Sequence, residues 1–237
     1  LPQRFTEKLV ELSSGTFQLA AEVVGGDNIL LGAGPERTRL VIAEGVATGV
    51  SLGGHLGDAN GYANEYLPSL PSARFVVPAG SHRIHGVDAR SWLAAGEWFF
   101  IGSKDVFNGL RGYYWQAEML QAAGVDASGI DLARPTLAAY GEGADTIAGD
   151  GDAEIRLYRL DFARDVGLDS LALVSQQRDG TVAALRVAER PFFRRVHVDS
   201  LTGEAQGGLS ISNSRLALWD RCRVSDVRDD AHGTGFR

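Results

Sequence analysis

An all-β solenoid interrupted by a second, smaller β module is the fold class this sequence predicts, and three observations carry the prediction. Glycine makes up 30 of 237 residues, nearly double the usual share of about 7%. Short alternating apolar stretches bounded by glycine and aspartate recur along the chain, the signature of strands and turns. The last third repeats itself with a period of 24–26 residues, which is a solenoid period.

Composition bounds the class before any motif is read. Apolar residues are 44% and charged residues 22%, enough for a packed core. With 23 basic and 30 acidic side chains the net charge is −7, which argues against a general nucleic-acid binder. Cys222 is the lone cysteine, so no internal disulfide forms and no zinc site is built from thiolates. The best apolar stretch, starting at Leu40, is broken by Glu44 and by glycines and does not span a membrane. The first residues carry neither a basic start nor an apolar run, so no signal peptide is expected. A start without Met and an end at Gly233-Thr-Gly-Phe-Arg237 predict a piece of a longer chain.

The elements follow in order. Residues 1–54 hold a cap and the first coils. Gln3–Leu12 has a helical face of Phe5, Leu9 and Leu12, followed by strands at Thr16–Ala20, Asn28–Leu31 and Arg39–Ile42. From 55 to 143 the period is lost and aromatics concentrate: Trp92, Trp98, Phe99, Phe100, Phe107, Tyr113, Tyr114 and Trp115. This stretch predicts an inserted lobe with strands at Leu93–Ile101, Gln116–Met119 and Gly129–Leu132. Tyr114–Ala123, ahead of Gly124, also has the spacing of a short helix. Residues 144–237 return to coils, with strands at Glu154–Tyr158 and Arg195–Val198. Leu171 and Leu173 fall on Val196 and Val198 at a spacing of 25, and these fall on Cys222 and Val224 at 26. Phe193 falls on Trp219, Leu185 and Val187 on Leu209 and Ile211, and Gly233-Thr-Gly-Phe236 starts a further copy. Neighbouring strands would then stack about 4.8 Å apart, with alternate apolar residues facing inward.

Leu30, Gly32, Gly34, Thr38 and Leu40 form an opening coil of the pattern L-x-G-x-G-x-x-x-T-x-L, and GLSISNS from Gly208, Cys222-Arg-Val224 and GTGF from Gly233 follow near the end. On these residues the chain resembles right-handed parallel β-helix proteins of the pectin-lyase-like superfamily, phage tailspikes among them, over about residues 15–52 and 145–237. Gly96-Glu-Trp-Phe-Phe-Ile101 is similar to a strand found in inserts of such proteins. The resemblance implies a right-handed coil and a long face that binds polysaccharide, which many members cleave. The function it implies is recognition of a bacterial cell-surface polysaccharide by a tailspike-like or fibre-like protein. Such a protein would be a homotrimer or a component of a phage-like particle, outside the cell or on the particle surface. A polysaccharide lyase or glycoside hydrolase acting on an acidic glycan is the alternative, and a structural stalk or adhesin without a sugar site is a third.

Each candidate site has a structural reading beside the chemical one. Gly32-Ala-Gly-Pro-Glu-Arg-Thr38 lacks the third glycine of a dinucleotide fingerprint and the lysine of a P-loop, so it reads as a turn. His82 and His85 would sit on opposite faces of one strand, with no second half-site for zinc. If Val196 and Val198 point inward, Arg195 and His197 point outward and stack on Arg221 and Arg223. Such a basic ladder would hold the carboxylates or sulfates of an anionic glycan, or it is a solvated face neutralised by Asp220, Asp226, Asp229 and Asp230. Asp226, Asp229, Asp230 and His232 have the residue types for general acid and base catalysis on a glycan. Aspartate is equally common in tight turns. Trp92, Trp98 and Trp115 offer faces for sugar rings or fill the lobe's core. No cofactor is expected beyond a divalent cation, and that only for a lyase.

Overall fold

A computed structural model describes residues 3–4, 8–54, 76–103, 116–140, 155–177, 180–201, 207–212, 214–225 and 234–236. Every regular element among them is a β-strand. The chain divides into two units, Leu1–His55 with Phe162–Arg237, and Leu56–Asp161.

The first unit is a stack of parallel coils. One sheet is built, in order, from Gln3–Arg4, Val23–Gly25, Thr48–Gly53, Thr181–Arg186, Gly207–Ser212 and Thr234–Phe236. A second sheet contains Leu9–Glu11, Ile29–Leu31, Gly167–Ser175, Phe192–Ser200 and then Leu218–Asp220 with Arg223–Ser225. Gly15–Leu19 and Thr38–Ile42 extend it sideways. A narrow third ladder pairs Ala163–Arg164 with Ala188–Glu189, which bridges on to Arg215. Each turn of chain visits the sheets in the same sequence, and all three ladders are parallel, which is the solenoid the repeat predicts.

The register confirms most of the repeat and corrects one part. Leu171 pairs with Val196, Leu173 with Val198, Val198 with Val224, and Phe193 with Trp219. Thr234–Phe236 adds the further strand. In the first sheet, however, Ala183 pairs with Leu209 and Leu185 with Ile211, a spacing of 26 where the sequence alignment has 24. The error is two residues, so it leaves the inward face unchanged, because side chains alternate with period two. Phe193, Val196 and Val198 are fully buried, and the Phe193 and Trp219 rings stack at 4.9 Å, tilted by 47°.

Corners recur with the coils. Ser170, Arg195 and Arg221 have φ of +55°, +51° and +51°, and Asp165, Arg190 and Leu216 have +51°, +57° and +57°. A left-handed non-glycine residue costs about 1–2 kcal/mol; it persists here because every coil must bend at the same two places. The opening turn uses glycine instead. A Cβ on Gly32 would lie 2.3 Å from the Ser170 carbonyl oxygen. Buried Thr38 ties the turn down: its Oγ1 accepts from Ala33 N at 2.9 Å and donates to Ser13 O at 3.0 Å.

Gln3–Leu12 is not a helix but two short strands, Gln3–Arg4 and Leu9–Glu11. The sheet edges beside Val23 and Ile29 supply backbone partners that outweigh a weak helical propensity.

The second unit is a five-stranded antiparallel sheet, in the order Ile155–Leu160, Trp98–Ser103, Gln116–Asp126, Gly129–Leu132, Arg83–His85. Phe99, Ile101, Leu120, Ile130 and Tyr140 fill its core. Two sequence expectations change here. The helix expected over Tyr114–Ala123 is the strand Gln116–Asp126, whose buried Glu118, Leu120 and Ala122 show period two. Ile155–Leu160, expected among the coils, pairs with Trp98–Ser103, so the inserted sheet extends past residue 143. Buried Glu118 organises the segment 134–140. It accepts from Leu137 N at 3.0 Å, Tyr140 Oη at 3.1 Å and Arg134 Nη1 at 3.1 Å. Burial, and after it the Glu118 charge, pushes the Tyr140 hydroxyl far above its ordinary pKa.

Candidate functional site

The outward face of the second sheet is where the coil register collects charged side chains. Along Phe192–Ser200, alternation would put Arg194 inside if Arg195 were outside. The positive φ of Arg195 inserts a bend instead, so Arg194 and Arg195 are both exposed and alternation resumes at buried Val196. The bend therefore puts two adjacent guanidinium groups on one corner of the stack.

Asp169, one coil away and in register with Arg194, meets both. Its side chain is 3% exposed. Arg194 Nε donates to Oδ2 at 2.8 Å, Arg195 Nη2 to Oδ1 at 2.9 Å, and Ser170 Oγ to Oδ1 at 2.7 Å. Burial alone would raise the Asp169 carboxyl, but the hydrogen bonds from Arg194, Ser170 and Arg195 outweigh it and hold the group below the ordinary carboxylate range. In the next coil Asp220 is in register with Arg194. It accepts from Arg221 at 3.0 and 3.1 Å, which lowers its pKa in the same direction.

Beyond the corner a second column runs across the strands. His197 is in register with Ala172 on one side and Arg223 on the other. His197 Nδ1 lies 4.0 Å from Glu36 Oε1, and the Glu36 side chain is 89% exposed. Asp199 holds the Ser225 hydroxyl one coil below. Arg223 is exposed and forms no ion pair among the described residues.

The four residues of the expected ladder are thus neighbours, but they differ in kind. Arg195 and Arg221 share the corner and are compensated by Asp169 and Asp220. His197 and Arg223 share the column. Arg194 and Arg195 pair with Asp169, and Arg221 pairs with Asp220, so the corner is a network of alternating charge with one arginine in excess. Sequence reading missed Asp169 and Arg194. The signal was present, because Asp169 precedes Arg194 by 25 residues and Asp220 follows it by 26.

The other candidates separate from this face. Asp226, Asp229, Asp230 and His232 lie outside the described residues, as do Phe107, Tyr113, Tyr114 and Trp115. Among the described residues no three His, Cys, Asp or Glu side chains converge as a metal site; His82 and His85 are both exposed. Phe99 is core, Trp92 packs against that core, and Trp98 and Phe100 are half-buried.

Comparison of the fold with solved structures finds phage tailspikes. The tailspike protein gp49 from Pseudomonas phage LKA1 is similar at a TM-score of 0.62 and 17% identity, over 90% of this chain and 37% of its own. The Pseudomonas phage phi297 tailspike gp61 is similar at 0.50 and 14%, over 92% of this chain and 39% of its own. The gp54 tailspike of Acinetobacter baumannii bacteriophage AP22, solved in complex with A. baumannii capsular saccharide, stands further off at 0.49 and 11%, over 91% of this chain and 45% of its own. The chain spans less than half the length of each, and what it shares with the first two is the tailspike fold. No protein-family model and no curated protein matches the sequence.

Proposed function

We propose that this chain is part of a tailspike-like protein, displayed on a phage-like particle, whose coil stack recognises a bacterial surface polysaccharide. The observation that supports this most is the fold likeness to the LKA1 tailspike across nine-tenths of the chain. On this reading the coils wind as in the pectin-lyase-like superfamily and the protein assembles as a homotrimer. The glycan lies on the outward face of the second sheet. Arg223 supplies positive charge there, and His197 beside it supplies a ring N–H donor. Arg195 and Arg221, although ion-paired, still have guanidinium N–H groups to spare, since each carries five donors.

The test is incubation with a panel of acidic and neutral bacterial polysaccharides, following binding, new reducing ends and the ultraviolet absorbance of unsaturated sugars together. Retention of at least one glycan supports recognition. Reducing ends with absorbance add lyase chemistry, and reducing ends alone add hydrolysis. No retention and no cleavage of any glycan across the panel overturns the proposal.

A further inference from the structure

The column through His197 extends further than the expected ladder. Arg39 is in register with Ala172, Ala172 with His197, and His197 with Arg223. Three strand spacings of about 4.8 Å put the two arginines roughly 14 Å apart along the stack axis. Arg39 is exposed between buried Thr38 and Leu40 and, like Arg223, forms no ion pair among the described residues. Ala172 between them is small and buried, so no charged group of the column itself interrupts the line. Thr16, in register with Arg39 on its other side, is exposed and uncharged.

The neighbouring corner column has a different balance. Asp169 compensates Arg194 and Arg195, and Asp220 compensates Arg221. Among the described residues, a polyanion approaching this sheet therefore meets charge that no carboxylate pairs at Arg39 and Arg223, with His197 between them. Among the described residues, Glu36, exposed beside His197, is the one carboxylate within 4.0 Å of a basic group of this column.

Resting on the proposed glycan reading, we infer that Arg39, His197 and Arg223 form a track for a polyanionic, carboxylated polysaccharide lying along the stack axis, with Arg39 as its far anchor and Glu36 as a repulsive selector beside it. Guanidinium groups suit carboxylates because they donate two parallel N–H bonds. The two anchors would engage anionic groups separated along the polymer, so a polymer should gain over its monomer through effective concentration.

The probe is polygalacturonate, with galacturonic acid, heparin and neutral dextran beside it, measured by titration calorimetry on the full chain at low and high salt. Wild type is expected to bind polygalacturonate in preference to dextran and to the monomer, and to weaken as salt rises. Arg39→Gln and Arg223→Gln should each weaken polygalacturonate binding about two- to fivefold at low salt, the range of one exposed charge contact. Arg39→Lys should recover part of the loss, and Glu36→Gln should tighten binding by a similar factor. Equal thermal melts for the variants establish that folding is intact. If Arg223→Gln weakens binding and Arg39→Gln leaves it unchanged, the track is overturned while glycan recognition stands. If dextran binds as well as polygalacturonate, the anionic class is overturned and recognition again stands. Heparin bound ahead of polygalacturonate overturns the preference for carboxylates. If none of these glycans, nor any of the wider panel, is bound, both proposals fall.

Discussion

Replacing Asp169 with Ala tests whether the corner network holds the coils together. The substitution removes a carboxylate that is 3% exposed and accepts from Arg194, Arg195 and Ser170. Breaking a buried ion pair by removing one partner costs about 3–5 kcal/mol. The two guanidinium groups here are 46% and 44% exposed and turn to water once released, which cuts the cost to about 2 kcal/mol. For a chain of this size that lowers Tm by roughly 4–8 °C. Sign and pH dependence follow from the depressed carboxyl. A folded-state pKa below the unfolded value of about 3.9 contributes stability that is present above that value and lost as pH falls through the folded pKa. Calorimetric melts of wild type and Asp169→Ala at pH 7 should therefore differ by the stated amount, and the gap should close as the pH is taken well below 4. Asp88→Ala, which removes an exposed pair with Arg90, is the control and should melt with wild type. An Asp169→Ala Tm within 1 °C of wild type at pH 7, or a gap that does not shrink in acid, refutes the reasoning.

Further outcomes follow from backbone and core. Gly53→Ala sets a Cβ 1.8 Å from the Arg186 carbonyl oxygen at φ +136°. The clash and the strain together should cost about 3–5 kcal/mol, and a melt within 2 °C of wild type would count against the pairing of Thr48–Gly53 with Thr181–Arg186. Glu118→Ala strips the acceptor from Leu137 N, Tyr140 Oη and Arg134. Amide exchange at Leu137 should speed by about a hundredfold, the equivalent of roughly 2.7 kcal/mol, with exchange along Phe192–Ser200 unchanged.

Much of the coil stack was legible because its period is written in residues that cannot be exchanged freely. Phe193 and Trp219 stack on one another, and Leu173, Val198 and Val224 share one inward line, so spacing alone aligned them. The first-sheet alignment failed because Ala183 carries little hydrophobic signal, leaving Val187 as the more attractive match for Ile211. Arg194 and Asp169 escaped notice for a conformational reason. Strict alternation places Arg194 inside, and only the left-handed Arg195 turns it out. Nothing local marks an arginine as left-handed, whereas a glycine there would have. The helix expected at Tyr114–Ala123 fails through its pattern, in which an intramodule polar network, Glu118 with the 134–140 segment, occupies a buried position that periodicity counts as polar and exposed.

The direct pairing of Thr48–Gly53 with Thr181–Arg186 has a kinetic side. Val50 must wait for Ala183, 133 residues downstream, before its coil acquires a lower neighbour. At ribosomal rates of about 5–20 residues per second that delay is on the order of 10 s, during which the newly made coil presents unpaired amides along one edge. Nascent chains on adjacent ribosomes would find the same edge, and strand exchange between them competes with correct closure. The pace of synthesis through the inserted stretch therefore sets how long that competition lasts. Synonymous codons that slow this stretch should lower the yield of correctly closed stacks without altering a single residue.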